Sequence, residues 1–248
     1  MYLGWHMIRA VFWDNDGVLV DTERLYFQAT RELLLQAGVT LTEELFRRIS
    51  LTEGRSAFDL AKAKGVPQDR IDRLHEERNR RYTELLKRGV RILEGVEETL
   101  AMLRGTVTMA IVTSSRRVHF DAIHAGTGLI PYFDFVLARE DYTHSKPDPE
   151  PYLTAMKRSA CGAQECLVIE DSPRGLASAV AAGIRCLVVP NDLTKGGPFT
   201  GAWRVLSQCR DIPAEIRRID TLAEGKKSQG VKTSDPDRTV SGNRGDTT

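Results

Sequence analysis

The sequence predicts an α/β protein: a doubly wound, parallel-sheet core with an inserted all-helical cap. Three observations lead to it. Short apolar runs with strand character recur at Val11–Trp13, Val107–Val112, Phe133–Ala138, Glu165–Glu170 and Arg185–Pro190. From residue 93 onward these runs alternate with segments of helical periodicity, the pattern of parallel strands joined by crossover helices. Between residues 23 and 92 the strand signals vanish and only helical ones remain.

Each element has its own signal. The first apolar run ends in Asp14-Asn15-Asp16-Gly17, so it reads as a buried strand delivering two carboxylates to its C-terminal end. Trp13 reads as core packing. Met1–His6 reads as an extension before that strand, with Met7 an alternative start. In the helical insertion, Leu25, Ala29 and Leu33 share one face of a helix that Gly38 ends. Residues 55–64 read as helical up to Gly65. A longer helix follows Pro67 and stops at Gly89, with Ile71, Leu74, Tyr82 and Leu85 on its apolar side. Helical patterns at residues 94–104, 117–125 and 149–158 then separate the later strands. Pro173 opens one more helix, which Gly183 ends. Residues 221–248 are rich in Lys, Ser, Gly, Asp and Thr and read as disordered. The resulting division is a Rossmann-like core of residues 1–22 and 93–220, a cap of residues 23–92 and a tail of residues 221–248.

Composition narrows the class. A chain of 248 residues, 41% of them hydrophobic, can bury a substantial core. A formal charge of +1 supplies no reason to invoke nucleic acid or a membrane surface. The longest apolar runs, such as Cys186–Val189, are too short to cross a bilayer, and the N-terminus lacks a secretory signal. The expectation is a cytoplasmic protein, a monomer or weak dimer. Cys161, Cys166, Cys186 and Cys209 have no C-x-x-C spacing and read as reduced packing residues.

Four segments carry chemistry, each near the end of a predicted strand. They are Asp14-Asn15-Asp16-Gly17; Thr113-Ser114-Ser115; Ser145-Lys146-Pro147; and Glu170-Asp171-Ser172-Pro173. Paired acids can divide nucleophilic attack from proton transfer. Hydroxyls and a lysine can hold phosphate oxygens. Each has a plainer reading: Thr113 as a helix cap, Lys146 paired with Asp148, Glu170 and Asp171 as turn and N-cap. Asp14, Asp16, Glu170 and Asp171 in one pocket, with Lys146 the only motif cation, call for a divalent ion to neutralise them. Ligands that are all oxygen favour magnesium over zinc.

Taken together and in this order, the four segments resemble the haloacid dehalogenase superfamily over roughly residues 7–215, a match far more specific than any one motif. The resemblance implies a phosphatase in which Asp14 attacks phosphorus and Asp16 acts as acid and then base. It implies that Thr113 and Lys146 hold the transferring group. Magnesium would bind the Asp14 carboxylate, the Asp16 backbone carbonyl and Asp171, with Glu170 acting directly or through water. The presence of Asp16 argues against carbon–halogen cleavage. Asp-Asn-Asp-Gly-Val-Leu-Val-Asp-Thr-Glu, Glu-Asp-Ser-Pro-Arg-Gly and a small helical cap place the chain near beta-phosphoglucomutase and its sugar-phosphatase relatives. That similarity makes Arg55 and Ser114-Ser115-Arg116-Arg117 substrate residues, with the arginines suited to a distal phosphate or carboxylate. The mutase has a histidine where this chain has Tyr26, which favours a phosphatase. The expected substrate is a small phosphate ester. The alternatives are a phosphomutase and a catalytically silent binding protein. Elsewhere, the run Glu76-Glu77-Arg78-Asn79-Arg80-Arg81 reads as a solvated, salt-bridged helix face with Glu76–Arg80 and Glu77–Arg81 as pairs, and His144 as close enough to Lys146 to approach the pocket.

Overall fold

The computed structural model describes residues 7–230. Met1–His6 and residues 231–248 lie outside the described residues, and with them the N-terminal extension and most of the expected tail.

Six parallel strands form one sheet in the order β3-β2-β1-β4-β5-β6. They are β1 (Ala10–Trp13), β2 (Thr108–Val112), β3 (Phe135–Leu137), β4 (Cys166–Glu170), β5 (Arg185–Val188) and β6 (Arg204–Val205). Strand β1 lies between β2 and β4, with Trp13 opposite Ile111 on one side and Ile169 on the other. The order reverses at β1, so this topological switch point leaves a crevice at its carboxyl end. The central strands are apolar on both faces because both faces are covered.

Alternation along β1 divides the core. Val11 and Trp13 point into a cluster with Val96 and Leu100 of α5 (Val96–Leu103), Phe120 and Ile123 of α6 (Arg117–His124), and Ile212, Ile216 and Ile219 of α9 (Ile212–Gly230). Ala10 and Phe12 point the other way, onto Tyr152 and Ala155 of α7 (Glu150–Ser159) and Leu176 and Ala179 of α8 (Pro173–Ala181). Helices on both faces make the fold doubly wound.

Between β1 and α5 the chain forms a helical insertion, closed at its base by an isolated bridge of Val20 with Ile92: α1 (Glu23–Gln36), α2 (Glu43–Phe46), a π-helical turn (Arg47–Thr52), α3 (Asp59–Ala63) and α4 (Gln68–Leu86). They have a core of their own, in which Leu33, Leu34, Phe46, Leu51, Phe58, Ile71 and Leu74 are buried. Leu193, from the loop after β5, inserts into it.

Several expectations need correction. The helix expected over residues 55–64 begins only at Asp59, because Gly54 takes a left-handed φ of 67° and the Ser56 hydroxyl accepts from the Phe58 N–H. The π-helical turn and two-residue β6 have no counterpart in the sequence pattern. The expected disorder does not begin at Thr221, since α9 continues to Gly230. Its signal was the stripe Ile212, Ile216, Ile219, Ala223, all buried. All four cysteines are free and buried.

Candidate active site

The site lies beyond the carboxyl ends of β1, β2 and β4, and the central strands hold its first residues. Asp14 follows β1, and its N–H donates to Ile169 O at 2.9 Å, extending the ladder by one residue. The chain then turns through Gly17 at a φ of 86°, where a Cβ would stand 2.5 Å from both Asn191 Nδ2 and Asp171 Oδ2. Only glycine allows this approach.

Lys146 ties the site together. Its Nζ donates to Asp14 Oδ1 at 2.7 Å, Glu170 Oε1 at 2.7 Å and Val112 O at 2.8 Å. All three ammonium protons are therefore used, and its expected alternative partner, Asp148, is not among them. Burial acts to lower the lysine pKa, but Asp14 and Glu170 outweigh it and hold the group above its ordinary value. Glu170 also accepts from Tyr152 Oη at 2.7 Å, and its other oxygen accepts from the Asp171 N–H and Ser172 Oγ, each at 3.2 Å. Burial opposes its ionisation, yet Lys146 and these donors hold its pKa below the ordinary value. A Cβ at residue 175 would fall 2.0 Å from this carboxylate, so Gly175 makes room for it. The N-cap of α8 is Ser172, accepting from the Gly175 N–H at 3.2 Å, rather than either acid.

The remaining acids are held differently. Asp16 accepts from Ser115 Oγ at 2.7 Å, Thr113 Oγ1 at 3.2 Å and Asn15 Nδ2 at 3.3 Å, and from the Thr22 hydroxyl. Asn15 is fixed in turn by His124 Nε2 at 2.7 Å, and burial pushes His124 down to about 4, so it is neutral at pH 7. Asp171 accepts from Asn191 Nδ2 at 2.8 Å, an amide that also reaches Glu23 Oε2 at 3.2 Å. Burial, with Glu23, Glu170 and Asp14 nearby, drives the Asp171 pKa well above the carboxylate range. Burial and Glu170 push Asp14 up to about 7 despite Lys146.

Ligand oxygens of Asp14, Glu170 and Asp171 lie within 4.8 Å of one another. The Lys146 ammonium bonds two of these carboxylates, whereas Asp171 has an amide donor and the nearby Arg174 charge. This set of hard oxygen donors, two of which burial and neighbouring acids hold back from ionising, fits a divalent cation such as magnesium.

A cavity of about 260 Å³ opens over these groups. Asp14, Asp16, Asp171, Ser114, Ser115, Arg55 and Arg116 line it, whereas Thr113, Lys146 and Glu170 sit behind its wall. Thr113 therefore supports Asp16 and accepts from the Ser115 N–H at 3.0 Å. The buried Ser114 Oγ has no partner within hydrogen-bonding geometry among the described residues. Two expectations fail here. Arg117 is outside the cavity, donating to Asp141 at 2.8 Å, and exposed His144 pairs with Glu150 at 2.8 Å.

The cavity also contains groups that sequence reasoning missed: Glu23, Arg78, His119 and Arg174. Arg78 was expected on a solvated face, but it is 8% exposed and its guanidinium lies 4.4 Å from the Tyr26 ring centre. The expected pairs around it are not formed as read: Arg81 reaches Glu32 at 2.7 Å and Arg80 approaches Glu77 at 4.0 Å.

Glu23 makes a prediction about pH. Burial pushes its pKa from an ordinary 4.5 to about 8. The native state thus keeps a proton that the unfolded chain has lost, and the associated stability is present below about pH 4.5 and declines as pH rises to about 8. Without metal, Glu23→Gln is expected to shrink the fall in melting temperature between about pH 5 and about pH 8.5. An unchanged fall in thermal unfolding experiments would refute this.

Residues 11–189 match the family described as haloacid dehalogenase-like hydrolase. The chain belongs to this family. Among relatives of this haloacid dehalogenase-like hydrolase is the phosphorylated carbohydrates phosphatase of Thermotoga maritima, 34% identical over 183 residues, covering 71% of this chain and 82% of that protein. Protein CbbY of Rhodobacter capsulatus is 33% identical over 210 residues, covering 80% and 92%. A crystal structure of a CbbY variant from Rhodobacter sphaeroides in complex with xylulose-(1,5)bisphosphate superimposes with a TM-score of 0.70 at 25% identity, covering 83% and 96%. The haloacid dehalogenase-like chain is an enzyme of the phosphoric monoester hydrolase class. No helix among its described residues is long and apolar enough to cross a membrane.

Proposed function

We propose that this enzyme is a magnesium-dependent phosphatase of small phosphorylated metabolites, sugar phosphates foremost, working through an aspartyl-phosphate on Asp14. The observation that carries the reading is the Lys146 ammonium, 2.7 Å from both Asp14 and Glu170 behind a cavity that Asp16 also faces. Residues 1–22 and 93–220 act as the catalytic core and residues 23–92 as the cap. The names of the relatives support phosphorylated carbohydrates as the substrate class.

The chain's own groups account for the steps. Lys146 fixes one Asp14 oxygen, leaving the other to attack phosphorus. The P–O bond to the substrate breaks as the Asp14–phosphorus bond forms, and Asp16 gives its proton to the departing alkoxide. Water then enters, Asp16 takes its proton, and the resulting attack on phosphorus frees phosphate and restores Asp14. Ser115, Thr113 and Thr22 orient Asp16 for both transfers. Magnesium held by Asp14, Asp171 and the Asp16 backbone carbonyl, with Glu170 supporting, supplies charge that lets an anionic ester approach a carboxylate. Tyr26, at the position where the mutase has a histidine, packs edge-on against Tyr82 and beneath Arg78.

Phosphate release from a panel of sugar phosphates, phosphoglycolate and nucleotides, with and without magnesium, tests the proposal. The expected result is magnesium-dependent release from one chemical group of esters. Silence throughout, with isomerisation of a sugar phosphate when glucose bisphosphate is added, would establish the mutase instead.

A further inference from the structure

Behind the turn that carries Asp14 and Asp16, a row of hydrogen bonds ends on the carboxyl that moves protons. It starts at Leu129, whose N–H donates to Thr127 Oγ1 at 3.4 Å. Thr127 Oγ1 lies 2.8 Å from His124 Nδ1, and His124 Nε2 lies 2.7 Å from Asn15 Oδ1. Asn15 Nδ2 then donates to Asp16 Oδ2 at 3.3 Å. Asn15 is fully buried and His124 is 8% exposed, so water does not stand in for either partner.

The last member fixes the direction of the row. The Asp16 carboxylate takes an amide N–H, which leaves the Asn15 carbonyl oxygen facing the ring, and that oxygen can only accept. The neutral His124 must therefore carry its proton on Nε2, and its bare Nδ1 accepts from the Thr127 hydroxyl. Each bond in such a row polarises the next toward Asp16. The backbone gives the pin its leverage: the Asn15 carbonyl also accepts from the N–H groups of Leu19 at 2.9 Å, Val20 at 3.2 Å and Val18 at 3.4 Å. The residue that His124 holds is the one around which the catalytic turn is wound. At Asp16 the donors are divided unequally. Oδ2 accepts from Ser115, Thr113 and Asn15, whereas among the described side chains Oδ1 meets the Thr22 hydroxyl alone.

We propose that His124 is a positioning residue for proton transfer: through Asn15 it sets Asp16 so that Oδ2 stays a fixed acceptor and Oδ1 gives a proton to the departing oxygen, then takes one from water. This rests on the phosphatase function proposed for the site. His124 does not line the cavity, and no bond to it is made or broken.

Two aryl phosphates, each with magnesium, separate the positioning of an acid from general damage. Phenyl phosphate releases a basic oxygen that needs a proton, dinitrophenyl phosphate releases one that departs without it, and kcat/KM covers this first step in both. His124→Leu is expected to lower kcat/KM by about tenfold or more for phenyl phosphate and by about threefold or less for dinitrophenyl phosphate. His124→Gln, which can present an N–H where Nε2 stands, should recover most of the loss. The double variant His124→Leu with Asn15→Leu replaces both partners by apolar groups and leaves no stranded amide, so it carries the comparison where His124→Leu alone does not fold. It should show the same selective loss. Nitrogen NMR of isotope-labelled histidine supplies a readout without turnover, with the His124 proton expected on Nε2. Equal losses on the two esters, a proton on Nδ1, or a Gln variant no better than Leu overturns the positioning role and leaves the phosphatase standing. Wild-type silence on both esters overturns both.

Discussion

Asp14→Asn is expected to lower phosphate release by about 10⁴-fold or more, with the fold intact. The amide keeps the shape of the carboxylate but cannot form the bond to phosphorus. The substitution also removes one of the two negative charges that share Lys146 Nζ, and Lys146 keeps Glu170 and Val112 O as partners. Burial and Glu170 already oppose the charge on Asp14, so its loss leaves thermal stability unchanged or higher. Intact-mass analysis after acid quenching of a turning-over reaction supplies the chemical readout. The wild-type chain should carry one added phosphoryl group and the variant none. A variant that retained full turnover would sink the nucleophile assignment.

Lys146→Met attacks the same point from the opposite side, and its largest effect is on stability. The Lys146 side chain is 2% exposed, that of Glu170 1% and that of Asp14 12%, so removal of the ammonium strands Glu170 away from water and leaves Asp14 unpaired at the cavity wall. Breaking a buried pair in this way costs about 3–5 kcal/mol. For a chain of this size that corresponds to a drop of roughly 10 °C in melting temperature. The pH dependence identifies the cause. In the wild-type protein Lys146 holds the Glu170 pKa below 4.5, so that contribution is present above about pH 4.5 and lost on acidification. In the variant only the Tyr152, Asp171 and Ser172 donors and the Arg174 charge still oppose burial, so Glu170 is expected to titrate higher than in the wild type, and more of the penalty for its burial is relieved in acid. Thermal scans across pH should show the variant closing on the wild type in acid. A constant gap would mean that Lys146 acts through packing rather than charge.

What could be read from residues alone was chemistry attached to strand ends. Asp14, Asp16, Thr113 and Glu170-Asp171 each follow an apolar run directly, so a parallel sheet places them together whatever the remaining packing. Lys146 was recognisable by residue type and motif order, although no local signal specified its three acceptors. Arg78 was misread because its neighbours Glu76, Glu77, Arg80 and Arg81 are the charges of a solvated helix face. It is buried because α4 packs on α1, carrying its guanidinium onto Tyr26. Arg174 lay within a recognised motif and drew no attention, since only the packed fold brings its charge into the field of Asp14, Glu170 and Glu23. Arg117 was the converse error, a helix-start arginine taken for a substrate group until Asp141 proved to hold it.

The sequence by itself determined the α/β architecture, the helical insertion and the identity of the acids, hydroxyls and lysine that meet at the β1 switch point. These follow from hydrophobic periodicity and from residue types that strand order alone brings together. Only the tertiary structure decided which arginines near the site are spent on neighbouring acids. It also decided that Asn191 and Glu23 share an amide hydrogen bond beside Asp171, and that Thr113 and Lys146 work from behind the cavity wall. The reason is physical: the electrostatic state of a side chain depends on its burial and on partners distant in sequence, and both arise only when the cap and the core pack together.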